Sequence, residues 1–214
     1  SVHASDGECL TYGHFQVGSI AVRVLSFDDS ALSPGFWEVM LSRALQVRVF
    51  TGLHHMSGCT CASEASREIS TNCYRLVHGE GDNLPGLIID YYDGVCVIQA
   101  HSVGMFRAKK QISDALQKVY GPDLKAVYDK SSGTAPFKAG LELVDGYLYK
   151  KEGFNDDEQI VIENGQKFMV NWTEGQKTGF FLDQRDNRAL VGQMAKGRNV
   201  LNLFCYTGGF SIYA

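Results

Sequence analysis

The order of structural signals near the C-terminal end constrains the fold of this chain more than any other feature. The apolar run NVLNLF at 199–204 predicts a buried strand, CYTGGF turns at Gly208 and Gly209, and FSIYA begins a helix. A strand, a glycine turn and a helix in this order are typical of a parallel α/β sheet, in which each crossover takes a dozen or more residues. Because only five residues follow Gly209, we expect the sequence to end inside a domain.

The glycine turn also gives the first indication of a binding site. Backbone N–H groups at such a turn can approach a ligand closely, and a helix start favours polar or anionic groups. The turn would suit a dinucleotide or S-adenosylmethionine, and it would equally suit a purely structural role with no ligand. It reads YTGGF rather than G-x-G-x-x-G, which disfavours a nicotinamide-dependent oxidoreductase.

The composition excludes several classes of protein. Of the 214 residues, 44% are hydrophobic and 21% are charged, which is typical of one or two globular domains and not of a disordered or membrane-embedded chain. No run of 18 apolar residues occurs, and SVHASDGECL lacks the basic and apolar regions of a signal peptide. Cysteines such as Cys96 and Cys205 lie in apolar runs, where we expect small buried thiols. The sequence therefore predicts a cytoplasmic protein without a membrane segment.

Charge is distributed unevenly along the chain. The net charge is −4, but residues 105–151 carry nine basic and five acidic side chains, and residues 167–214 carry six and three. Any contact with nucleic acid must therefore be local. The basic side chains of the first section belong to a predicted helix and the segment after it, and they form either a solvated face or a track for phosphates: Arg107, Lys109, Lys110, Lys118, Lys125, Lys130 and Lys138.

Three amphipathic patterns predict helices over 36–50, 104–120 and 182–196. In the first, apolar residues recur at spacings of three and four and should face the core: Phe36, Trp37, Met40, Leu41, Ala44 and Val47. In the second, the same reasoning selects Phe106, Ile112, Ala115, Leu116 and Val119, with an end at Gly121-Pro122.

Alternating apolar residues predict strands at 8–15 and 17–27, and again from Cys73 onward. Asp93-Gly94 and Asn164-Gly165 each lie between two strand-like runs, which predicts two hairpins. LKAVYDK at 124–130 predicts a further strand. Three stretches lack such a pattern, and we expect a connection over 51–72, a structural turn at HGEGDNLPG (78–86) and mostly loop over 131–158.

The segment GQKTGFFLDQRDNR at 175–188 combines two aromatic residues with alternating charges. Alternating charges on a helix commonly form a solvated face with salt bridges. The alternative is an aromatic wall and polar groups that line a cofactor pocket.

These segments carry a resemblance to a known family. EGQKTGFFLDQRDNR and VLNLFCYTGGFSIYA, with YRLVHGEGDNLPGLIIDYYDG and SIAVRVLSF upstream, closely resemble the S-adenosylmethionine-dependent cytosine-5 methyltransferases of large-subunit ribosomal RNA. The resemblance covers nearly all of 17–214 except the connection 51–70.

The resemblance implies a fold of the α+β and α/β classes in four parts. Residues 1–30 would be the C-terminal part of a PUA-like β-barrel, and 31–72 a helix and a connection. Residues 73–158 would form a central mixed α/β domain with a helix on a β-sheet. Residues 159–214 would begin a Rossmann-like methyltransferase domain.

The resemblance also implies functional residues. Motif I for S-adenosylmethionine would comprise Asn202, Phe204, Tyr206, Gly208 and Gly209, and the same pocket would be lined by Phe180, Phe181, Asp183, Gln184 and Arg185. Asp183 could balance the cationic sulfonium and ammonium groups of the cofactor, while aromatic rings pack on its apolar parts. The phosphates of ribosomal RNA would contact Arg107, Lys109, Lys110 and Lys130. The sequence leaves open whether the chain forms a homodimer.

The family places its nucleophilic cysteine, which attacks C6 of cytosine, beyond the position of Ala214, so no catalytic residue is assigned here. Cys205 lies in the predicted cofactor turn, and we expect a small buried residue there rather than that nucleophile. We therefore expect the 214 residues alone to be inactive. The alternative function is a non-catalytic RNA-binding module with a vestigial glycine turn.

A metal site is a weaker hypothesis. His54, His55, Cys59 and Cys61 lie close together, but their spacing lacks the C-x2-C arrangement of zinc knuckles. We therefore predict no metal and a polar connection with free thiols.

Overall fold

A computed structural model describes residues 1–16, 18–54, 70–136, 140–156 and 159–214. The predicted cluster residues His55, Cys59 and Cys61, and the basic residue Lys138, lie outside these ranges. No helix in the described ranges is long and apolar enough to cross a membrane.

The predicted helices form almost as expected. Helix α1 spans Phe36–Phe50, α2 spans Val103–Tyr120, α3 spans Arg185–Ala195 and α4 spans Gly209–Tyr213. The Ser102 hydroxyl caps α2 by accepting from the Met105 N–H at 3.3 Å, and the N–H of Gly121 donates to the Gln117 carbonyl at the other end. On α1 the predicted core residue Val47 is instead half exposed, and Leu45 is buried in the core. The pattern was ambiguous there because both residues are apolar and only one can face the sheet.

A five-stranded mixed sheet forms the centre of the molecule. Its strands are β4 (Cys73–His78), β5 (Leu87–Tyr92), β6 (Val95–Ala100), β7 (Ala126–Asp129) and β8 (Gly146–Lys150). They lie in the order β4-β5-β6-β7-β8, and all neighbours are antiparallel except β6 and β7, which are joined through α2. The predicted Asp93-Gly94 hairpin joins β5 to β6, with positive φ at both residues (45° and 94°) as a primed turn requires.

Both faces of this sheet are covered, which explains its nearly continuous apolar strands. Consecutive residues alternate between two cores, so that Cys96 and Ile98 face α1 and α2 while Val95 and Val97 face the other side. That other side is covered by β9 (Gln159–Glu163), β10 (Gln166–Val170) and the following segment, which contributes Trp172, Phe180 and Leu182. Strands β9 and β10 form the predicted hairpin around Asn164-Gly165.

The N-terminal residues form a three-stranded antiparallel sheet of β1 (Val2–His3), β2 (Cys9–Phe15) and β3 (Val22–Ser26). The described residues contain no closed barrel, so the PUA-like barrel stays a prediction, as does the division into four parts. The sheet docks on α2, where the His14 ring lies against the backbone of Gly104.

The described residues of 131–158 are mostly loop as expected, but they also include strand β8, which pairs with β7 at the edge of the sheet. Two expectations for the C-terminal residues were wrong. Residues 199–204 form no strand and are largely exposed, since no described strand pairs with them and the φ angle of Phe204 is +58°. Cys205 directly follows this segment and is exposed rather than buried. Cys73 and Cys96 are buried as free thiols.

Candidate cofactor site

Two segments that are 30 residues apart in sequence meet at Tyr206. The Tyr206 hydroxyl accepts a hydrogen bond from the backbone N–H of Gln176 at 2.9 Å. Its ring meets the Phe181 ring edge-on with centroids 5.6 Å apart. The ammonium group of Lys177 lies 4.7 Å from the centroid of Phe181. The loop 175–181, which we call the cofactor loop, is thereby joined to the turn 202–209, which we call the glycine turn.

A buried ion pair holds the helices behind this junction. Arg188 of α3 donates from Nε and Nη2 to the two carboxylate oxygens of Glu163 at 2.8 and 2.6 Å, and both side chains are almost fully buried. Arg188 also donates to the carbonyl of Phe181 at 3.0 Å. The Tyr213 hydroxyl of α4 donates to Glu163 Oε1 at 3.1 Å. One carboxylate therefore links α3, α4 and the β9–β10 hairpin.

Burial and this neighbouring carboxylate raise the pKa of Tyr213 to about 12. The phenol is therefore protonated at neutral pH and can donate to Glu163. Gly209, the first residue of α4, is buried close to the Arg188 side chain, with 3.1 Å between the Arg188 Cδ and the position that a β-carbon would take.

A second buried carboxylate fixes the cofactor loop to the central sheet. Asp90 of β5 accepts from Arg75 at 2.8 and 3.1 Å and from the Thr178 hydroxyl at 2.6 Å. The Tyr92 hydroxyl lies 3.0 Å from the same threonine hydroxyl. Burying a carboxylate is favourable only when its oxygens are hydrogen-bonded and its charge is paired, and Asp90 meets both conditions. The backbone of the loop is therefore held at Thr178 while Gln176 and Lys177 remain exposed.

Asp183 supplies an exposed negative charge next to the junction. Partial burial alone would raise its pKa, but hydrogen bonds from Gln184 and from its own backbone N–H, with the charges of Lys177 and Arg75, bring the pKa below its ordinary value. The Gln184 amide donates to Asp183 at 3.0 Å. Asp183 is therefore ionised at neutral pH, as a group that balances a cation must be.

The glycine turn presents exposed side chains. The Asn202 amide donates to the Ser211 hydroxyl at 2.8 Å and so ties the segment before the turn to α4. Phe204 is fully exposed, and Leu203 is largely exposed. The backbone is left-handed at Phe204, Tyr206 and Gly208. The segment therefore turns back on itself and displays apolar surface next to the junction.

The structure brings some of the predicted cofactor residues together and separates others. Phe181 and Tyr206 are in contact, and Asp183 and Gln184 follow in the same segment. Phe180 points the opposite way, where it is buried against Phe168 and under the guanidinium of Arg188. Arg185 pairs with its neighbour Asp186 at 3.2 Å.

The four predicted RNA contacts do not share one face. Lys109 Nζ lies 2.6 Å from Asp129 Oδ2, and Lys110 Nζ lies 2.7 Å from Asp114 Oδ1, while Arg107 is exposed on the same helix. Lys130 instead donates to the carbonyl of Gly175 in the cofactor loop. Consecutive residues of a strand point to opposite faces, so Lys130 leaves β7 on the side away from α2.

The described cysteines differ in their suitability as nucleophiles. Burial raises the pKa of the Cys73 and Cys96 thiols far above the ordinary value, which suppresses the reactive thiolate. Cys9 and Cys205 are exposed. No metal-binding group of three or more His, Cys, Asp or Glu side chains occurs within the described ranges. His54, the described member of the predicted cluster, lies 2.9 Å through Nδ1 from the Tyr74 hydroxyl.

The residues that support this site from the interior were not predicted from the sequence. Arg188 belongs to the segment that was expected either to form a solvated face or to line a pocket, and it is instead buried in an ion pair with Glu163, which was not singled out. Arg75, Asp90 and Thr178 were also missed. A charged residue inside an apolar strand, such as Asp90 within LIIDYY, was the available signal, because a buried charge requires a partner.

Comparisons with known proteins place this geometry in context. Residues 150–214 match the family of S-adenosylmethionine-dependent methyltransferases. The chain is 39% identical over 197 residues to the ribosomal RNA large subunit methyltransferase I of Pseudoalteromonas atlantica, covering 91% of this chain and 45% of that protein. It is 37% identical to the protein of the same name from Pseudoalteromonas translucida, covering 100% of this chain and 50% of that protein. The chain thus spans about half the length of these curated relatives.

Two solved structures share the fold. One is an inferred S-adenosylmethionine-dependent methyltransferase from Streptococcus mutans, with a TM-score of 0.72 and 24% identity, covering 99% of this chain and 50% of that chain. The other is an inferred methyltransferase complexed with SAH, with a TM-score of 0.74 and 24% identity, covering 99% and 49%. The match over 150–214 agrees with the predicted resemblance to S-adenosylmethionine-dependent methyltransferases, and the two curated relatives carry the name of a ribosomal RNA large subunit methyltransferase.

Proposed function

We propose that this chain is part of an RNA methyltransferase that transfers a methyl group from S-adenosylmethionine to C5 of a cytosine in large-subunit ribosomal RNA. The names of the relatives and the family match over 150–214 support the cofactor and the class of RNA. The choice of cytosine and of C5 rests on the resemblance of EGQKTGFFLDQRDNR and VLNLFCYTGGFSIYA to enzymes of that specificity.

The observation that carries the proposal is the junction at Tyr206 with the ionised Asp183 beside it. S-adenosylmethionine supplies an activated methyl group on a cationic sulfonium. The residues present fit such a ligand, because the carboxylate of Asp183 can balance positive charge and the rings of Phe181 and Tyr206 can pack on apolar parts. Asn202 and Gln184 offer side-chain amides that can position polar groups of the ligand.

The nucleophile that must add to C6 is a separate requirement. The buried thiols of Cys73 and Cys96 do not suit it, because burial disfavours the thiolate. Cys205 is exposed, but it lies in the glycine turn that would hold the cofactor, and the family that the chain resembles places its nucleophile further along the sequence. We therefore propose that the 214 residues bind cofactor and RNA but do not complete methyl transfer.

The test is calorimetric titration of the 214-residue chain with S-adenosylmethionine. Asp183→Asn removes the balancing charge, and we expect binding to weaken by about 1.5 to 3 kcal/mol, the range for hydrogen bonds to charged groups. Glu152→Gln removes an exposed negative charge that lies outside this site, and it should bind as the wild type does. Wild-type protein that gives no binding heat would contradict the cofactor assignment.

Two further outcomes separate the alternatives. Incubation with ribosomal RNA and labelled cofactor should transfer no methyl group to the RNA, and detectable transfer by the 214 residues would overturn the proposed inactivity. Salt-dependent RNA binding without any affinity for the cofactor would favour the non-catalytic RNA-binding module instead.

A further inference from the structure

A basic cleft lies at one end of the central sheet, beside the cofactor loop. Its volume is about 760 Å³. The floor consists of the start of β5, with Leu87 and Ile88, and the end of β6, with Gln99. The walls include Arg23 of β3, Lys130 and residues 132–134 after β7, and Lys177 of the cofactor loop. Two carboxylates, Glu80 and Asp145, also line the cleft. The cleft therefore joins the N-terminal sheet, the central sheet and the cofactor loop.

Four cationic side chains line this cleft, and they are not equivalent. Arg75 is neutralised from behind by the buried Asp90, and Lys130 is held by the Gly175 carbonyl. Arg23 makes one ion pair, from Nη1 to Glu80 at 3.2 Å, and Glu80 is largely exposed. Lys177 rests on the Phe181 ring and forms no ion pair within the described residues. Arg23 and Lys177 are therefore the two cations of the cleft whose charge is least neutralised by other groups of the protein, and they can interact most strongly with an anionic ligand.

Arg23 also carries an unsatisfied donor. Its Nε atom is buried and has no hydrogen-bond partner in the described part of the chain, although a guanidinium has five N–H donors. A buried donor without a partner is unfavourable, so an anionic group that draws the guanidinium toward itself could satisfy this donor. His101 adds a neutral imidazole, because burial and the charges of Arg23 and Arg75 lower its pKa.

We infer that this cleft binds a phosphodiester group of the RNA strand that carries the methyl acceptor, with Arg23 and Lys177 as its main contacts. This inference rests on the proposed function. Arginine and lysine are the side chains that proteins use for phosphate oxygens, and RNA is held largely through such contacts. Lys177 belongs to the cofactor loop, so a phosphate bound here would place the strand next to the cofactor. The predicted track on α2 does not offer this proximity, because Lys109 and Lys110 are paired with carboxylates on the opposite side of the sheet.

The test measures binding of a short fluorescein-labelled single-stranded oligoribonucleotide to the 214-residue chain by fluorescence anisotropy at several salt concentrations. Arg23→Gln and Lys177→Gln should each weaken binding about threefold and lower the magnitude of the salt slope by about 0.7. Arg23→Lys keeps the charge and should restore most of the affinity. Glu80→Gln removes the carboxylate that competes for Arg23, and it should tighten binding about threefold. Lys167→Gln removes an exposed charge on β10, outside the cleft, and should change nothing.

The outcomes distinguish this inference from the proposed function. Unchanged RNA affinity in Arg23→Gln, with normal binding of S-adenosylmethionine, would overturn the cleft and leave the cofactor assignment intact. If the wild type does not bind the cofactor but Arg23→Gln still weakens RNA binding about threefold, the cleft is supported and the cofactor assignment is not. Inorganic phosphate that displaces the oligoribonucleotide at equal concentration would overturn the assignment to an RNA strand, since the cleft would then prefer a free anion. Thermal unfolding of each variant checks that it is folded.

Discussion

Removing the buried charge of Glu163 should destabilise the region around the glycine turn selectively. Glu163 and Arg188 are 0% and 3% exposed in their side chains, and the carboxylate accepts from Arg188 and Tyr213. Glu163→Gln keeps the volume but leaves the guanidinium as a buried charge without its partner. Removing one partner of a buried ion pair lowers the free energy of unfolding by about 3 to 5 kcal/mol. Because an amide oxygen can still accept one bond from Arg188, we expect about 3 kcal/mol.

The size of this effect can be compared with the stability of the whole molecule. Domains are stable by about 5 to 15 kcal/mol, so a loss of about 3 kcal/mol is a large fraction. It corresponds to about two powers of ten in the unfolding equilibrium constant. The loss of stability should appear first in α3, α4 and the β9–β10 hairpin, because these are the elements that Glu163 links. Amide exchange should therefore accelerate in α4 before it does in α2.

Urea unfolding followed by circular dichroism measures the change. Glu174→Gln is the matched control, because Glu174 is exposed and the substitution removes the same charge. Replacing both partners, as Glu163→Leu with Arg188→Met, should cost less than Glu163→Gln alone, since no buried charge remains. A loss for Glu163→Gln no larger than that of the control would refute the claim that this pair stabilises the fold.

Three further substitutions test the packing around the site. Gly104→Ala should lower stability in thermal unfolding by about 1 to 3 kcal/mol, because the added β-carbon would lie 2.0 Å from the His14 ring. This loss is expected even though alanine usually favours a helix. Unchanged stability would contradict the docking of the N-terminal sheet on α2. His14 has a pKa lowered from 6.5 by burial, so its contribution is complete above about pH 6.5 and is lost as pH falls through its folded value. His14→Phe should flatten the pH dependence of urea unfolding in that range, and an identical profile would exclude this histidine as a cause. Thr178→Val removes the hydroxyl shared by Asp90 and Tyr92 and should cost about 1 to 3 kcal/mol in urea unfolding; a loss below that range would show that the loop is held by other contacts.

The elements that the sequence predicted correctly are those that local chemistry decides. The dipeptides at Asp93 and Asn164 adopt left-handed backbone conformations that few other residues accept, so both hairpins were predictable. Helix α2 has a serine cap, a regular apolar face and a glycine end within one continuous stretch. Strand β8 was missed because an edge strand is defined by the neighbour that it pairs with, and nothing in GYLYK specifies β7.

The site was predicted only in part for a related reason. Phe180 and Phe181 are adjacent and chemically identical, yet one is buried in the core and the other faces Tyr206. Their direction follows from the fixed position of the cofactor loop, which depends on Thr178 and on Asp90, 88 residues apart in sequence. Similarly, the burial of Arg188 depends on its ion pair with Glu163, which lies 25 residues earlier in the sequence. Partners at such separations leave no periodic signal.

The cofactor loop connects the two proposed binding sites, and this connection predicts coupling between them. Lys130 of the cleft donates to Gly175, and Gln176 donates to Tyr206 of the glycine turn. A ligand that orders the loop from one side reduces the ordering cost for the ligand on the other side, and such coupling is reciprocal. We expect S-adenosylhomocysteine at saturation to tighten oligoribonucleotide binding by about fivefold, the lower end of typical coupling, and Tyr206→Phe to reduce this enhancement. Anisotropy titrations with and without the ligand measure it, and equal RNA affinity in both would show that the loop does not transmit the effect of cofactor binding to the cleft.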